Sequence, residues 1–368
     1  MRPGTTPIRL IFVSAGLSLA GGGRASAARM LAAGSARYAA RHGMGFEVFS
    51  LGSADEPEFA SATRHFDGHR SRLAVAVLRA QRRRHCALIF DLLGLARIEA
   101  PLPTLARPPY MVVLYGIDVW QPLSAAHRRA LHGAAVQAAI SNYTLTRAQP
   151  YVGRLSEAAI VPLTLEDTLS SSPERGDAAL LAALGRGYLL IVGRMSRSER
   201  YKGHEILLEA MARLPEARLV VVGDGDDRPR LQELAVSLGL GERVFFTGYV
   251  ATAVLPEIYR RASVFVMPST GEGFGLVYLE AMREGVPCIA AQGTVAEEVM
   301  ANGDAGLLVP AGDAAALAEA CGRLLDDPEL AHRLGAAGAQ RFRREFSPAR
   351  FENAVENALD RLLTHVRN

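Results

Sequence analysis

Residues 264–280 read VFVMPSTGEGFGLVYLE, and the order of patterns within this stretch decides the fold around it. The apolar run 264–267 is typical of a buried strand. Apolar side chains then recur at helical spacing over residues 276–285. Gly273 and Gly275 therefore lie in a loop that leads from a strand into a helix.

This loop suits a ligand that carries both phosphate and hydroxyl groups. Gly273 and Gly275 have no Cβ, so a ligand can approach their backbone closely. The start of the following helix offers unpaired N–H groups and a partial positive charge, which favour a phosphate. Glu272 and Glu280 flank the loop with carboxylates that accept hydrogen bonds from hydroxyls. A nucleotide sugar combines both kinds of group.

Composition excludes several classes of protein. The 368 residues are enough for two domains of ordinary size, and 49% of them are hydrophobic. The net charge of +3 is small, and no continuous basic tract indicates a nucleic-acid partner. Three cysteines without CxxC spacing argue against a disulfide framework or a cysteine zinc site and fit a reducing compartment.

Hydropathy predicts a cytoplasmic protein. No apolar run approaches about 18 residues, so we expect no membrane-spanning helix. The first apolar run, residues 8–13, is interpreted as a strand and not as part of a signal peptide.

Strand and helix patterns alternate through both halves of the chain. Continuous apolar strands between helices predict parallel sheets that are covered on both faces. The predicted fold class is therefore α/β, with two Rossmann-like doubly wound domains that face each other across a cleft. Ligands should bind at the carboxyl ends of the strands, in the crevice between the domains.

A polar stretch without periodicity separates the two halves. It predicts a linker over 169–184, between an N-terminal domain, 1–168, and a C-terminal domain, 185–346. Residues 347–368 predict a helix that packs back toward the N-terminal domain.

The N-terminal domain opens with a strand, a glycine loop and a helical pattern over 24–41. The loop contains Gly21, Gly22 and Gly23 but no G-x-G-x-x-G, so it is a weak dinucleotide fingerprint. Two interpretations stand side by side: the loop approaches an acceptor or a phosphate, or it is a tight turn.

Residues 70–85 predict a helix that is rich in arginine. Its basic residues are Arg70, Arg72, Arg79, Arg82, Arg83 and Arg84. Such a face attracts anionic lipid headgroups, at about 1 kcal/mol per basic residue near the surface. The alternative is a solvated face, because the whole chain contains a single lysine and is otherwise biased to arginine.

Two cations follow the first strand of the C-terminal domain, within residues 193–204. Arg194 and Lys202 supply positive charge at the carboxyl end of a strand, where a pyrophosphate would need it. Lys202 is informative because the chain uses arginine everywhere else. A compact point charge is indicated where a guanidinium would not fit.

Asp224 and Asp226 superficially match a D-x-D metal motif. We favour a tight turn after a strand, with Asp227 capping the next helix. Arg194 and Lys202 already provide the charge that would neutralise the phosphates, so no metal is expected.

Together these segments resemble the retaining GT-B glycosyltransferases of family 4, over residues 193–310. The most specific match is the E-x7-E pattern from Glu272 to Glu280. The segments 193–203, 222–225 and 246–250 match in order and spacing. Thr294 replaces a glycine that is usual in the family. Fainter matches in the first half are the segments 115–120 and 141–144 and the glycine loop at 21–23, which lies where the family binds its acceptor.

The resemblance implies a metal-independent, retaining transfer from a UDP- or GDP-linked sugar to a glycan or lipid-linked acceptor. The nucleotide sugar is then a co-substrate, and no other cofactor is expected. Arg194 and Lys202 would hold the diphosphate, Glu272 the sugar hydroxyls and Glu280 the ribose hydroxyls. The implied donor-binding set is Gly193, Arg194, Lys202, Val250, Glu272, Gly273, Phe274, Gly275, Leu276 and Glu280. A lipid-linked acceptor would add peripheral contact with the inner face of the cytoplasmic membrane.

The implied catalytic set is Arg194, Lys202, Glu272, Tyr115 and Asp118, and one of its members departs from the family. Tyr115 stands where the family often has a histidine that contacts the donor sugar or phosphate. Tyrosine still donates a hydrogen bond but is neutral near pH 7. Asp118 is either an acceptor-side base or a plain turn residue. The alternative function is a non-catalytic nucleotide-sugar-binding partner of a glycan-synthesis complex.

Overall fold

The computed structural model describes residues 7–18, 21–53, 63–82, 85–103, 106–155, 158–166 and 178–366, with the backbone alone at 175–177. The chain forms two compact units, Met1–Glu166 with Pro348–Asn368, and Asp167–Ser347. Within the described stretches, no helix is both long and apolar enough to cross a bilayer.

The first unit is built on a seven-stranded parallel sheet in the order β3-β2-β1-β4-β5-β6-β7. Its strands are β1 (Arg9–Ser14), β2 (Gly45–Ser50), β3 (Thr63–His65), β4 (Cys86–Phe90), β5 (Tyr110–Leu114), β6 (Val136–Ala139) and β7 (Ala158–Ile160). Strands β4 and β5 are buried at every residue. Their unbroken apolar runs are what a sheet covered on both faces requires.

Helices cover this sheet, and the last of them comes from the far end of the chain. They are α1 (Gly22–Arg41), α2 (Arg70–Gln81), α3 (Leu93–Ala96), α4 (Ala125–His132), α5 (Asn142–Val152) and α14 (Pro348–Leu363). The α14 helix packs on α1, where a Cβ on Gly34 would lie 3.5 Å from Val355 and 3.6 Å from Phe351. Tyr38 on α1 also donates a hydrogen bond to Asp360.

The second unit is built on a six-stranded parallel sheet in the order β10-β9-β8-β11-β12-β13. Its strands are β8 (Tyr188–Val192), β9 (Leu219–Val222), β10 (Val244–Gly248), β11 (Ala262–Met267), β12 (Cys288–Ala291) and β13 (Leu307–Val309). Its helices are α6 (Arg175–Leu184), α7 (His204–Met211), α8 (Arg228–Ser237), α9 (Leu255–Arg261), α10 (Leu276–Arg283), α11 (Val295–Val299), α12 (Ala314–Asp326) and α13 (Pro328–Glu345).

The predicted fold class, α/β with two Rossmann-like doubly wound units, is confirmed. The structure adds elements that the patterns do not show. β3 is a three-residue strand of polar sequence, too short to display alternation. Helix α6 occupies the second half of the predicted linker 169–184, because its apolar side chains Leu181 and Leu184 are buried. The first half of that linker, with Arg83 and Arg84 of the arginine-rich segment, lies outside the described residues.

Strand order fixes where each unit can bind a ligand. In the second unit β8 lies between β9 and β11, so chain direction across the sheet reverses between β8 and β11. In the first unit the same reversal falls between β1 and β4. Ligands of doubly wound sheets bind beyond the carboxyl ends of the strands at such a switch point.

Candidate functional site

The loops that leave β8 and β11 meet at the switch point of the second unit. Lys202, in the loop after β8, donates from Nζ to Oε1 of Glu272, in the loop after β11, at 2.8 Å. The two side chains are 14% and 17% exposed. Thr270 N donates to the carbonyl of Tyr201 at 2.9 Å and joins the same two loops. Two residues that the sequence assigns to donor binding are therefore in direct contact.

Gly203 allows this contact. A 3₁₀ helix over Arg197–Lys202 ends at Gly203, whose φ is 82°. A Cβ at this position would lie 2.7 Å from Cγ of Pro268 and 2.9 Å from its carbonyl oxygen. Only glycine combines the left-handed conformation with such an approach. Lys202 is thus fixed against the end of β11 by its neighbour in sequence.

Arg194 follows β8 directly, as expected for a residue at the carboxyl end of a strand. Its exposed guanidinium pairs with Glu199 at 2.8 Å, on the 3₁₀ helix that carries Lys202. A diphosphate would therefore compete with Glu199 for this guanidinium.

The glycine loop after β11 ends at an uncapped helix start. Gly275 is the N-cap of α10 with φ 83°, and among described residues no side chain caps this end. Phe274 is buried and packs edge-to-face on Phe346, with ring centroids 5.8 Å apart. The loop is thus anchored by Phe274, and Leu276 begins the helix whose N–H groups and dipole favour an anion. Gly273 lies between Glu272 and this anchor.

Glu280 lies on α10 and is oriented by a residue that the sequence does not single out. Tyr259 donates from Oη to Oε2 of Glu280 at 2.7 Å. Burial raises the pKa of Glu280 to about 6, although the bond from Tyr259 opposes the rise. The other carboxylate oxygen remains for a ligand hydroxyl. Tyr259 sits in an ordinary helical pattern, so no local signal reveals it.

His204 is a second such residue. It begins α7, is buried, and its Nε2 has no hydrogen-bond partner in the described part of the chain. Burial, assisted by the Lys202 ammonium, lowers the pKa of His204 to about 4. A Cβ on Gly193 would lie 3.3 Å from Cδ of Lys202 and 3.9 Å from Nε2 of His204. A neutral imidazole therefore lies beside Gly193 and Lys202.

The aspartates of the D-x-D segment hold the turn together. Asp224 pairs with Arg228 at 3.0 Å, and Asp226 accepts from the backbone N–H of Arg197 at 2.9 Å. No group of His, Cys, Asp or Glu in the described stretches is arranged to hold a metal ion. The absence of a metal requirement stays a prediction.

Asp227 is the N-cap residue of α8, but the predicted side-chain cap is wrong. Its carboxylate makes no capping bond and instead accepts from Arg200 at 2.9 Å and from Arg230 at 2.8 Å. Two guanidinium groups outcompete backbone N–H groups for the carboxylate. The hydrogen bond from Arg230 is the main reason why the pKa of Asp227 falls to about 2.

Val250 follows β10 and is half-buried. Gly223, after β9, donates from its N–H to the carbonyl of Gly248 at 3.0 Å. This bond brings the ends of β9 and β10 together, with Val250 two residues beyond. The contact between Val250 and a nucleobase stays a prediction.

Tyr115 and Asp118 lie in the first unit, at the carboxyl end of β5. Oδ1 of Asp118 accepts from the N–H groups of Tyr115 at 3.1 Å and Gly116 at 2.8 Å, which is the geometry of a turn residue. Oδ2 is buried and has no partner among described residues. Burial raises the pKa of Asp118 to about 6.

The Tyr115 hydroxyl is also buried without a hydrogen-bond partner in the described chain. Burial, reinforced by the Asp91 carboxylate, raises the pKa of Tyr115 well above its usual value, so the phenol is neutral. Asp91, at the end of β4, accepts from Ser14 Oγ at 2.6 Å, and Nη1 of Arg24 lies 3.5 Å from the same oxygen. Asp91 and Arg24 were missed from sequence. The only signal is a charge directly after the apolar run of β4.

The glycine loop of the first unit begins α1. Gly21 is its N-cap, and a Cβ there would lie 2.5 Å from Cβ of Ala25. Gly22 has φ 69°. These features account for Gly21 and Gly22 as parts of a tight turn, and acceptor binding by Gly21, Gly22 and Gly23 stays a prediction.

Most of the second unit matches a known protein family. Residues 177–341 match the family model described as Glycosyl transferases group 1. A GDP-mannose-dependent alpha-(1-6)-phosphatidylinositol monomannoside mannosyltransferase of Mycolicibacterium smegmatis is 32% identical over 60% of this chain and 61% of its own. A phosphatidyl-myo-inositol mannosyltransferase of Mycobacterium leprae is 37% identical over 51% of this chain and 50% of its own. The chain thus spans between half and three fifths of the length of these relatives.

Solved structures resemble the chain over nearly its whole length. Anabaena HepE in complex with UDP-glucose has a TM-score of 0.76 at 21% identity, covering 96% of this chain and 99% of its own. Sucrose-phosphate synthase of Thermosynechococcus elongatus has a TM-score of 0.76 at 23% identity, covering 97% and 99%. At these identities the likeness shows the fold, which is GT-B.

Proposed function

Since residues 177–341 belong to the glycosyl transferases group 1 family, we propose that this protein is a glycosyltransferase that uses a nucleoside-diphosphate sugar. The observation that carries the proposal is the Lys202–Glu272 contact at the switch point between β8 and β11. It sets a cation from the loop after β8 beside a hydroxyl acceptor in the loop after β11, which leads to the anion-favouring start of α10.

Lys202 and Arg194 stabilise the leaving nucleoside diphosphate in the proposed reaction. Negative charge grows on the phosphate as the glycosidic bond breaks, and fixed cations and backbone N–H groups lower the barrier. The contact with Glu272 holds Lys202 in place before the donor arrives. Glu272 then accepts from sugar hydroxyls, and Glu280, held by Tyr259, accepts from the ribose.

The proposed transfer is retaining and metal-independent. Both properties come from the resemblance to family 4, and the arrangement of the aspartates supports the second. Asp224 and Asp226 are engaged with Arg228 and the backbone of Arg197. Lys202 and Arg194 supply the positive charge that a divalent cation supplies in other enzymes. Unchanged turnover in EDTA would support this part of the proposal.

We propose a UDP- or GDP-linked hexose as donor and a glycan or lipid-linked acceptor. GDP-mannose and phosphatidylinositol monomannoside are named for one relative, and lipopolysaccharide core biosynthesis is named for another, LpsD of Rhizobium meliloti. A lipid-linked acceptor places the enzyme in the cytoplasm, in peripheral contact with the membrane. The exposed arginines of α2 would favour such contact.

A non-catalytic nucleotide-sugar-binding partner is the second candidate. Tyr115 favours it, since a neutral, buried phenol stands where the family often has histidine. Turnover separates the two. The full chain is incubated with UDP-glucose and GDP-mannose, with and without a bacterial lipid extract as acceptor, and released nucleoside diphosphate is quantified by mass spectrometry. Release above that of Lys202→Ala supports the transferase, whereas tight donor binding without release supports the binding partner.

A further inference from the structure

A cavity of about 560 Å³ lies in the first unit between α2 and the strands β1 to β3. Phe49 and Phe66 line it with their rings in an edge-to-face contact, centroids 5.9 Å apart. Val75 on α2 also lines it and is 46% exposed. The volume lies within the range of pockets that take one small ligand. Part of the lining is therefore apolar surface that no described side chain covers.

Three exposed guanidinium groups surround this apolar lining. Arg72 and Arg79 come from α2, and Arg64 from β3. The Arg64 guanidinium carbon lies 5.4 Å from the centroid of the Phe49 ring. Among the described side chains, none of the three has a carboxylate within salt-bridge distance. Positive charge is thus concentrated in the lining of a pocket that is also partly apolar.

The one carboxylate among the lining residues does not neutralise this charge. Glu47 pairs with Arg9 at 2.5 Å, and Arg9 also donates to the carbonyl of Ala80 at 3.0 Å. Arg9 and Glu47 therefore neutralise each other within the lining. Arg64, Arg72 and Arg79 therefore leave a net charge of three at the pocket.

We propose that this pocket binds a single anionic phospholipid. Its phosphate is held by the guanidinium groups of Arg64, Arg72 and Arg79, which suit phosphate oxygens in paired hydrogen bonds. The first carbons of its acyl chains lie on the half-buried Phe66 and the exposed Val75. A free phosphate leaves the apolar lining unused, and a neutral lipid leaves the three cations unpaired. The site is independent of sugar transfer.

The helix α2 offers an internal control for this site. Arg70 and Arg82 belong to the same basic segment, but neither lines the pocket. General attraction to an anionic surface involves all four arginines alike, since it depends on charge near the membrane. Binding in the pocket depends on Arg72 and Arg79.

The experiment titrates the full chain with dihexanoyl-phosphatidylglycerol below its micelle concentration, by calorimetry. Dihexanoyl-phosphatidylcholine and inorganic phosphate are the comparison probes. We expect one-to-one binding of phosphatidylglycerol, with both comparison probes at least about tenfold weaker, because each lacks one half of the recognised chemistry. The Arg72→Gln/Arg79→Gln variant should lose at least about tenfold in affinity, and Arg70→Gln/Arg82→Gln should stay within about twofold.

Several results would overturn the proposal. Equal affinity for the phosphatidylcholine would show that the pocket does not recognise the anionic headgroup. Phosphate alone binding as tightly as phosphatidylglycerol would show that it does not recognise the acyl chains. Equal losses of affinity in the two double variants would show general attraction to a basic surface and not binding in the pocket. Binding to phosphatidylglycerol vesicles without binding of the monomeric lipid would show the same. If Arg72→Gln/Arg79→Gln fails to fold, Arg64→Gln on the opposite wall provides the same test, with thermal unfolding as the check on folding.

Discussion

Lys202 donates a hydrogen bond to Glu272 across 70 residues of sequence, and both side chains are largely buried. This contact connects the loops that leave two adjacent strands of the sheet, β8 and β11. A donor that draws the ammonium toward its diphosphate would release Oε1 of Glu272 for a sugar hydroxyl. Phosphate binding and sugar binding would thereby be coupled through one hydrogen bond.

Substitution of Lys202 should therefore damage catalysis far more than folding. We expect Lys202→Ala to lower the transfer rate by roughly a hundred- to a thousandfold, or about 3–4 kcal/mol, because a fixed cation at the leaving phosphate is lost. The measurement is the steady-state release of nucleoside diphosphate. Arg197→Ala, an exposed residue of the same 3₁₀ helix, is the control. A wild-type rate in Lys202→Ala would remove the lysine from the mechanism.

Glu280 should control affinity for the nucleotide even without a sugar. We expect Glu280→Ala to weaken binding of GDP or UDP by at least about tenfold, since a carboxylate that accepts from hydroxyls is lost. Calorimetry provides the dissociation constant. Glu284→Gln, one turn further along the chain, serves as the matched control. Unaltered affinity in Glu280→Ala would rule out the ribose assignment.

The Glu280 carboxyl should also make nucleotide binding depend on pH. Its pKa is raised to about 6 by burial, so the ionised, hydroxyl-accepting form predominates above that pH. Affinity should fall as pH drops through about 6. Tyr259→Phe removes the hydrogen bond that opposes the rise in pKa, so the midpoint should move to higher pH. A profile that does not move in Tyr259→Phe would show that another group titrates.

Tyr115 allows activity and stability to be separated. Its hydroxyl is buried without a partner among described residues, a state that costs about 1–3 kcal/mol in a folded protein. Tyr115→Phe should therefore leave the free energy of unfolding unchanged or raise it. If the hydroxyl donates to the donor sugar, transfer falls at least about tenfold in the same variant. Denaturant unfolding and turnover are both measured, and a loss of stability would mean that the hydroxyl has a partner in solution.

Asp227 should stabilise the second unit in a pH-dependent manner. Its pKa is lowered from 3.8 to about 2, so its contribution is complete above about pH 4 and is lost as pH falls toward 2. At about 1.4 kcal/mol per pKa unit, Asp227→Asn should reduce the free energy of unfolding at pH 7 by about 2 kcal/mol. Urea unfolding at pH 7 and pH 2.5 measures this, with exposed Asp226→Asn as control. Equal destabilisation at both pH values would argue against an ionic origin.

Local patterns were sufficient to predict the fold class and most of the second unit. The apolar runs of β8 to β13 each lie between clear turn sequences, and Gly273 and Gly275 predict the start of α10. The residues missed act through distant contacts. Tyr259 reaches Glu280 and Asp91 reaches Ser14, at separations of 21 and 77 residues. No spacing in the sequence predicts contacts between residues so far apart in the chain.

Partners of charged residues were equally hidden. The sequence named Arg194 and Asp227 but not Glu199 and Arg230, because an arginine-rich chain offers many candidate pairs. Asp227 shows the consequence, since its position at the start of α8 was right and its side-chain bond was wrong. Which arginine pairs with a given carboxylate depends on how the chain packs.

The first unit is built from two separate segments of the chain, because it includes helix α14. Phe351 and Val355 cover α1, yet the ribosome makes them some 300 residues after that helix. The second unit is continuous and is translated in full between these two helices, while α1 still lacks its cover. During synthesis, α1 therefore keeps an uncovered apolar flank until α14 has been translated.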